Sequence, residues 1–333
     1  MPQARRAFAL VLALSSSYVM PAFAQAATTL AVVPGRVAVT PPTAALTPAP
    51  VVLSRHVIVV SIDGLRPDAI EAADARVLQR LLADGSGTID ARTILPSRTL
   101  PSHTSMVTGV LPETHGITWN SAEPDFGYVT VPTMFQLAHD AGYRTAAFVS
   151  KKKFQHIFPE GTLDATGLPG GAALPASRTV SEAIRYLEHE KPNLLFVHIA
   201  EPDALGHMLG WMGFGYRWAV READAAVGKI IETADETFGE GNYTLIVTAD
   251  HGGHGHGHGT DSVEDQTIPW ISFGQGIRRG HSIEADVETM DTAATVLTML
   301  GVLVPAAWDG VAVQEALIYP AVAAATGTDA PRR

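Results

Sequence analysis

The 333-residue chain contains no cysteine. That absence removes disulfides, thiolate metal ligands and lipid-bearing cysteines from every reading of it. Positive charge is also scarce: 23 Lys and Arg stand against 34 Asp and Glu, a net charge of −11. A nucleic-acid polymer is therefore not an expected partner. A small anionic substrate would need local positive charge, for which metal ions are a source. After the first two dozen residues no apolar run reaches membrane-spanning length. What remains is a chain with 46% hydrophobic and 17% charged residues, enough to bury a large core.

The N-terminus carries Arg5 and Arg6, then a short apolar run, then Ala22-Phe23-Ala24. This is the layout of a secretory signal peptide over residues 1–24 with a small-x-small cleavage site. Export to a periplasm or the extracellular space follows, and a cysteine-free chain fits it. Residues 25–54 are rich in Pro, Ala and Thr and read as an extended linker. A single catalytic domain is expected over 55–320, and residues 321–333 read as a flexible tail. Nothing in the sequence points to an oligomeric state.

Regular structure begins at "HVIVVSIDG" (56–64), an apolar run ending in Asp and Gly. Such a run suits a strand buried on both faces of a parallel sheet. Similar runs recur at 144–150, 193–200 and 243–250. Helical patterns separate them at 72–83, 133–141, 179–190, 217–238 and 290–300. The alternation predicts an α/β fold, a three-layer α/β/α sandwich with a mainly parallel central sheet.

Ionisable residues collect where the strands end. Asp63 follows one run, Asp203 the next and Asp250-His251 a third. Strand carboxyl ends form one edge of such a sheet, and ligands bind there. His207, four residues after Asp203, and one of His254, His256 and His258 complete a set of oxygen and nitrogen donors. Without sulfur, the set suits Zn²⁺ or Mn²⁺. Six ligands fit two ions better than one, and two ions about 4 Å apart can hold both the attacking and leaving oxygens of a phosphoryl displacement. The rival reading of "DHGGHGHGHGT" (250–260), a metal-scavenging run, needs none of the residues on the other strands. For a nucleophile, Thr99 precedes Pro101 and an amphipathic segment, which predicts a helix N-terminus able to attract phosphate.

"SIDGLRPD", "RTLPSH…TGVLPETHGI", "EPDALGH" and "ADHGGHG…HGTD" resemble, in this order, motifs of the alkaline phosphatase superfamily. The similarity runs from about Val57 to Gly301 and is closest to the nucleotide pyrophosphatase/phosphodiesterase branch. The resemblance implies a two-zinc phosphohydrolase acting on a small phosphate ester through a phosphothreonine intermediate. Asp63, Thr99, Asp250 and His251 would surround one zinc, with Thr99 as nucleophile. Asp203, His207 and His258 would hold the other; Mn²⁺ or another divalent ion would suit the same donors. Asn120 would contact a phosphoryl oxygen. Two departures stand out. Ser102 occupies a position where the family has Asn, and Lys151 and Lys153 resemble a lysine pair of monoesterase and phosphonate-cleaving branches. That pair is a candidate for substrate binding. His103, His115 and His156 read as structural, Trp211, Phe214, Tyr216 and Trp218 as packing, and Asp261 and Asp291 as supporting or capping carboxylates.

Overall fold

A computed structural model describes residues 51–169 and 175–320. The predicted leader, most of the predicted linker and the tail from 321 lie outside the described residues. Near the start of the described residues, the Leu53 and Ser54 N–H groups both donate to the Met299 carbonyl.

Among the described residues, eight strands form one sheet: β1 Val57–Ile62, β2 Ser86–Arg92, β3 Thr145–Phe148, β4 Ala165–Gly167, β5 Leu194–Ile199, β6 Thr244–Thr248, β7 Thr267–Gly274 and β8 His281–Ser282. Their spatial order is β4-β3-β5-β1-β6-β7-β2-β8. From β4 to β6 every pairing is parallel. β7 then runs antiparallel to both β6 and β2. The four predicted strands are β1, β3, β5 and β6, the centre of the sheet. Every residue of β1, β5 and β6 is buried, as expected of parallel strands covered on both faces.

Ten α-helices among the described residues flank the sheet: α1 Asp68–Ala72, α2 Arg76–Asp84, α3 Thr99–Thr108, α4 Pro112–His115, α5 Met134–Asp140, α6 Ala176–Glu190, α7 Glu201–Leu209, α8 Phe214–Phe238, α9 Val263–Gln266 and α10 Asp291–Leu300. α3, α5 and α10 pack together, and α2, α6 and α8 pack together, giving the two outer layers. The helix expected at 72–83 is divided. Asp74 adopts a left-handed φ of 53°, and α2 restarts with its Val77 and Leu78 N–H groups capped by the Asp224 carboxylate of α8. No local residue caps α2, so the start signal lies 147 positions away.

α3 corrects a second expectation. It is not amphipathic: all ten residues are buried. Its polar side chains turn inward and find partners. Thr104 and Thr108 hydroxyls donate to carbonyls one turn back, and Ser105 meets His115 at 3.0 Å. Thr99 does begin the helix, as predicted, behind the extended Arg98.

Candidate active site

The sheet order assembles the site. β1 lies between β5 and β6, so the residues following those three strands become neighbours. Asp63 directly follows β1, Asp250 follows β6, and Asp203 sits in the first turn of α7 after β5. Backbone bonds fix their spacing: Asp203 N–H donates to Asp63 O (3.0 Å), and Gly64 N–H donates to Asp250 Oδ1 (3.1 Å). Gly64 has φ +71°, and a Cβ there would lie 3.0 Å from the Asp203 Cα. Only glycine satisfies both demands.

Two groups of donors result, Asp63/Asp250/His251 and Asp203/His207/His258. In the first, His251 Nε2 lies 3.4 Å from Asp63 Oδ1 and 3.2 Å from Asp250 Oδ2. In the second, His207 and His258 Nε2 lie 3.3 and 3.5 Å from Asp203 Oδ1. The groups adjoin, because the His251 and His258 rings stack with centroids 3.6 Å apart.

The three imidazoles share one orientation device. Each has Nδ1 on a backbone carbonyl: His251 on Gly252 O (2.8 Å), His207 on His256 O (2.9 Å) and His258 on Ser97 O (2.8 Å). A carbonyl only accepts, so Nδ1 carries the proton and the Nε2 lone pair faces the carboxylates. On the other side, Asp63 Oδ1, Asp203 Oδ1 and Asp250 Oδ2 are buried without a hydrogen-bond partner. A buried carboxylate oxygen without a donor is costly. Three such oxygens face three lone pairs, and this donor set fits divalent metal.

Thr99 Oγ1 lies 3.3 Å from His251 Nε2, on the first group. Its helix start is rigid: Leu100 N–H donates to Asn120 Oδ1 (2.9 Å), and Pro101 has no N–H. Asn120 Oδ1 also accepts from Lys153 Nζ at 3.0 Å. Lys151 Nζ bridges the two groups, 2.6 Å from Asp63 Oδ2 and 2.5 Å from Asp203 Oδ2. Burial works against the charge on Lys151, but Asp63, Asp203 and Asp250 outweigh it and raise its pKa. Lys153 is pushed down to about 8 by burial and by Lys151 beside it. Burial likewise opposes ionisation of Asp63, yet Lys151 and His198 hold it well below the usual carboxylate range.

All ten predicted site residues thus gather on one sheet edge. Four others stand there: His198 and Asp265, which the sequence did not single out, His103, expected to be structural, and Ser102, noted above as a departure from the family. His198 on β5 donates Nε2–H to Asp63 Oδ2 (2.9 Å), and burial, lowering its pKa to about 4, keeps it neutral. His103 joins Thr99 O (2.8 Å) to Ser61 Oγ (2.8 Å) beneath the helix start. Ser102 donates to Asp250 O at 2.6 Å, so the serine found in place of the family's asparagine holds a strand end. Asp265 backs the histidine loop, whereas Asp261 is exposed. A lone His inside the apolar run "LLFVHI" was the available signal for His198. Trp211 and Tyr216 pack as expected, both donating to Gly64 O. Phe214 and Trp218 do not; they are 77% and 45% exposed. Asp291 supports rather than caps: its carboxylate accepts Glu288 N–H (2.8 Å) and Val311 N–H (2.8 Å), and no side chain caps α10.

Known proteins share this fold and part of this sequence. A venom phosphodiesterase of Macrovipera lebetinus is 27% identical over 214 residues, 59% of this chain and 25% of that protein. The chain spans about a quarter of the length of the curated relatives it matches. Human ectonucleotide pyrophosphatase / phosphodiesterase 5 shares the fold at TM-score 0.68, with 16% identity over 79% of this chain and 99% of that one. A phosphonate monoester hydrolase from Silicibacter pomeroyi does so at TM-score 0.61 and 17% identity, over 78% and 76%. The sequence model described as "Type I phosphodiesterase / nucleotide pyrophosphatase" matches residues 57–265. That match runs from the first residue of β1 to Asp265 and takes in every candidate ligand, so the chain belongs to the type I phosphodiesterase / nucleotide pyrophosphatase family.

Proposed function

We propose that the chain is an exported, metal-dependent phosphoric ester hydrolase. It cleaves phosphodiester or pyrophosphate bonds of nucleotide or aryl type, with Thr99 carrying the phosphoryl group between two half-reactions. The observation that carries this reading is the pairing of three unsatisfied carboxylate oxygens with three oriented Nε2 lone pairs beside one buried threonine hydroxyl. Asp63, Asp250, His251 and Thr99 would hold one divalent ion, and Asp203, His207 and His258 the other, two Zn²⁺ or a similar pair. Bound there, the ions would neutralise phosphoryl charge and lower the pKa of the nearby hydroxyl and water.

The chain's own groups do the rest. Thr99 Oγ attacks phosphorus in line, its proton passing to solvent, while the P–O bond to the leaving alcohol or phosphate breaks and that group departs. Water then attacks the phosphothreonine, the P–Oγ bond breaks, Thr99 recovers a proton and the phosphoryl product is released. His103 and the Asn120–Leu100 bond keep the hydroxyl from wandering. Asn120 presents its amide N–H₂ to a non-bridging oxygen, because its Oδ1 is already engaged twice. His198 and Lys151 keep Asp63 ionised and oriented. Export rests on the N-terminal leader pattern and on the venom and ecto-enzyme relatives.

A second reading has its own observation. Two ammonium groups, Lys151 and Lys153, stand in the site, and the added charge favours a dianionic phosphomonoester or phosphonate over a monoanionic diester. Metal scavenging by the run alone is disfavoured: the two donor groups draw on Asp63, Asp203, His207 and Asp250 from other parts of the fold as well as on His251 and His258.

The test compares turnover of bis-(p-nitrophenyl) phosphate and p-nitrophenyl phosphate by the zinc-loaded chain. Diester preference supports the leading reading, and monoester preference transfers the protein to the second. No turnover of either with two ions bound overturns both for these esters. Thr99→Ala should keep its metal and lose roughly 10⁴-fold in turnover. Wild-type-like rates in that variant would sink the covalent route.

A further inference from the structure

The two donor groups differ in what holds them. The Asp63/Asp250/His251 group stands on strand ends and is wholly buried. In the Asp203/His207/His258 group, two of three donors depend on the loop 252–265. His258 belongs to the loop, and His207 is aimed by donating Nδ1–H to the loop carbonyl of His256. His256 returns a bond from its own Nδ1 to His207 O (3.1 Å), and Trp211 N–H donates to Gly255 O (2.8 Å). The loop tip is thereby stapled to the end of α7.

The loop's base closes on one carboxylate. Asp265 is fully buried although its element is a single turn. Its Oδ1 accepts from His254 Nδ1 at 2.7 Å. Its Oδ2 accepts from Thr260 N–H (2.9 Å) and Thr260 Oγ1 (2.7 Å), and its carbonyl accepts Gly252 N–H (2.8 Å). One side chain thus ties residues on both sides of His258. Glycine fills positions 252, 253, 255, 257 and 259, so the segment has little stiffness of its own. These ties, with the Ser97 carbonyl that accepts from His258 Nδ1, set the places of His258 and the His256 carbonyl.

We propose that Asp265 is the positioning residue of the outer metal group, with His254 and His256 as its arms at the base and tip of the loop. The three set how tightly Asp203/His207/His258 hold a divalent ion, without touching ion or substrate. None of the three side chains bonds to Asp63, Asp250 or His251 of the inner group. The inference rests on the two-ion reading above. It assigns work to the two histidines of the run that are not ligands.

The test is zinc titration of the full chain against a chromophoric chelator, with stoichiometry and both affinities read directly. The wild type takes two ions. Asp265→Ala should hold the first ion unchanged and bind the second at least tenfold more weakly, the scale seen when outer partners of metal ligands are lost. Asp265→Asn, which still accepts from Thr260, should fall between. His254→Ala lies at the surface and cannot unfold the core, and it should weaken the second ion alone. Amide exchange over 253–260 should rise in metal-free Asp265→Ala. Unchanged second-ion affinity in both alanine variants overturns the proposal, and so does equal weakening of both ions. A wild-type chain that takes no second ion overturns the two-ion reading and the loop's role together; failure of the variants alone leaves that reading intact.

Discussion

Asn120→Asp isolates one catalytic function with little structural disturbance. The Asn120 Oδ1 accepts from Leu100 N–H at 2.9 Å and from Lys153 Nζ at 3.0 Å. Two donors on one atom assign it as the oxygen, so the other terminal atom is the N–H₂. Aspartate preserves both accepting roles at nearly the same volume and strengthens the pairing with Lys153. The start of α3 and the position of Thr99 should not change. Only the donor is lost, and a negative charge appears where an anionic substrate would sit. Losing one such donor costs about 3 kcal/mol in the transition state, a factor of about 150 in kcat. Repulsion adds to this, so kcat/KM should fall by more than about 100-fold. The assay is steady-state kinetics on the better nitrophenyl ester, with thermal unfolding measured in parallel. Turnover within roughly threefold of wild type, a barrier change under 1 kcal/mol, would refute the donor role. A large drop in Tm would refute the claim that the substitution is structurally silent. Asn120→Ala should look different, since Leu100 N–H then loses its acceptor and stability falls by about 1 kcal/mol.

Two further outcomes follow from buried groups. His115 Nδ1 accepts Ile117 N–H (3.0 Å), so its proton is on Nε2 toward Ser105, and a second proton would face a donor. Burial, opposed by the Pro101 carbonyl, lowers its pKa from 6.5 to about 4. The unfolded chain therefore binds this proton first: the stabilisation is complete above pH 6.5 and is lost as pH falls toward 4, up to about 3 kcal/mol. His115→Gln should flatten that acid limb in thermal melts across pH, and a limb parallel to wild type would contradict the assignment. Chelation is the second case, because it leaves Asp63, Asp203 and Asp250 each with a buried oxygen lacking a donor. Zinc at about 1,000 times its Kd should stabilise the chain by about 4 kcal/mol per ion, read as a thermal shift. The absence of any shift would rule out the metal fit.

The centre of the fold is legible because its physics is local. Each of β1, β5 and β6 is an apolar run stopped by a polar residue, and burial on both faces demands little else. The strands missed are those whose sequence serves two environments. β2, "SGTIDAR", mixes buried and exposed positions and carries a bulge between Thr88 and Ala91. β7, "TIPWISFG", contains Pro269 yet sits inside the sheet. α3 misled for the opposite reason. Its serines, threonines and histidine look like a wet face, but each is satisfied inside the protein, and pairing of that kind has no periodicity.

The same division runs through the site. Residues that would touch metal were readable because chemistry limits their type and strand ends limit their place. Residues that hold them were not, since a partner's identity is a fact of three dimensions. Asp261 and Asp265 are one helical turn apart, and nothing in "TDSVED" says which carboxylate turns inward. Lys151 shows where the boundary lies. It was read as a charge near a strand end with a candidate role toward substrate. Once the order β3-β5-β1 is known, a lysine three residues beyond β3 has two carboxylates across the edge, Asp203 and Asp63, and it spans both. Strand order converts a loop cation into a bridge between the two donor groups. The ammonium is therefore committed to the carboxylates first, and it reaches substrate only to the extent that divalent ions take over its work there.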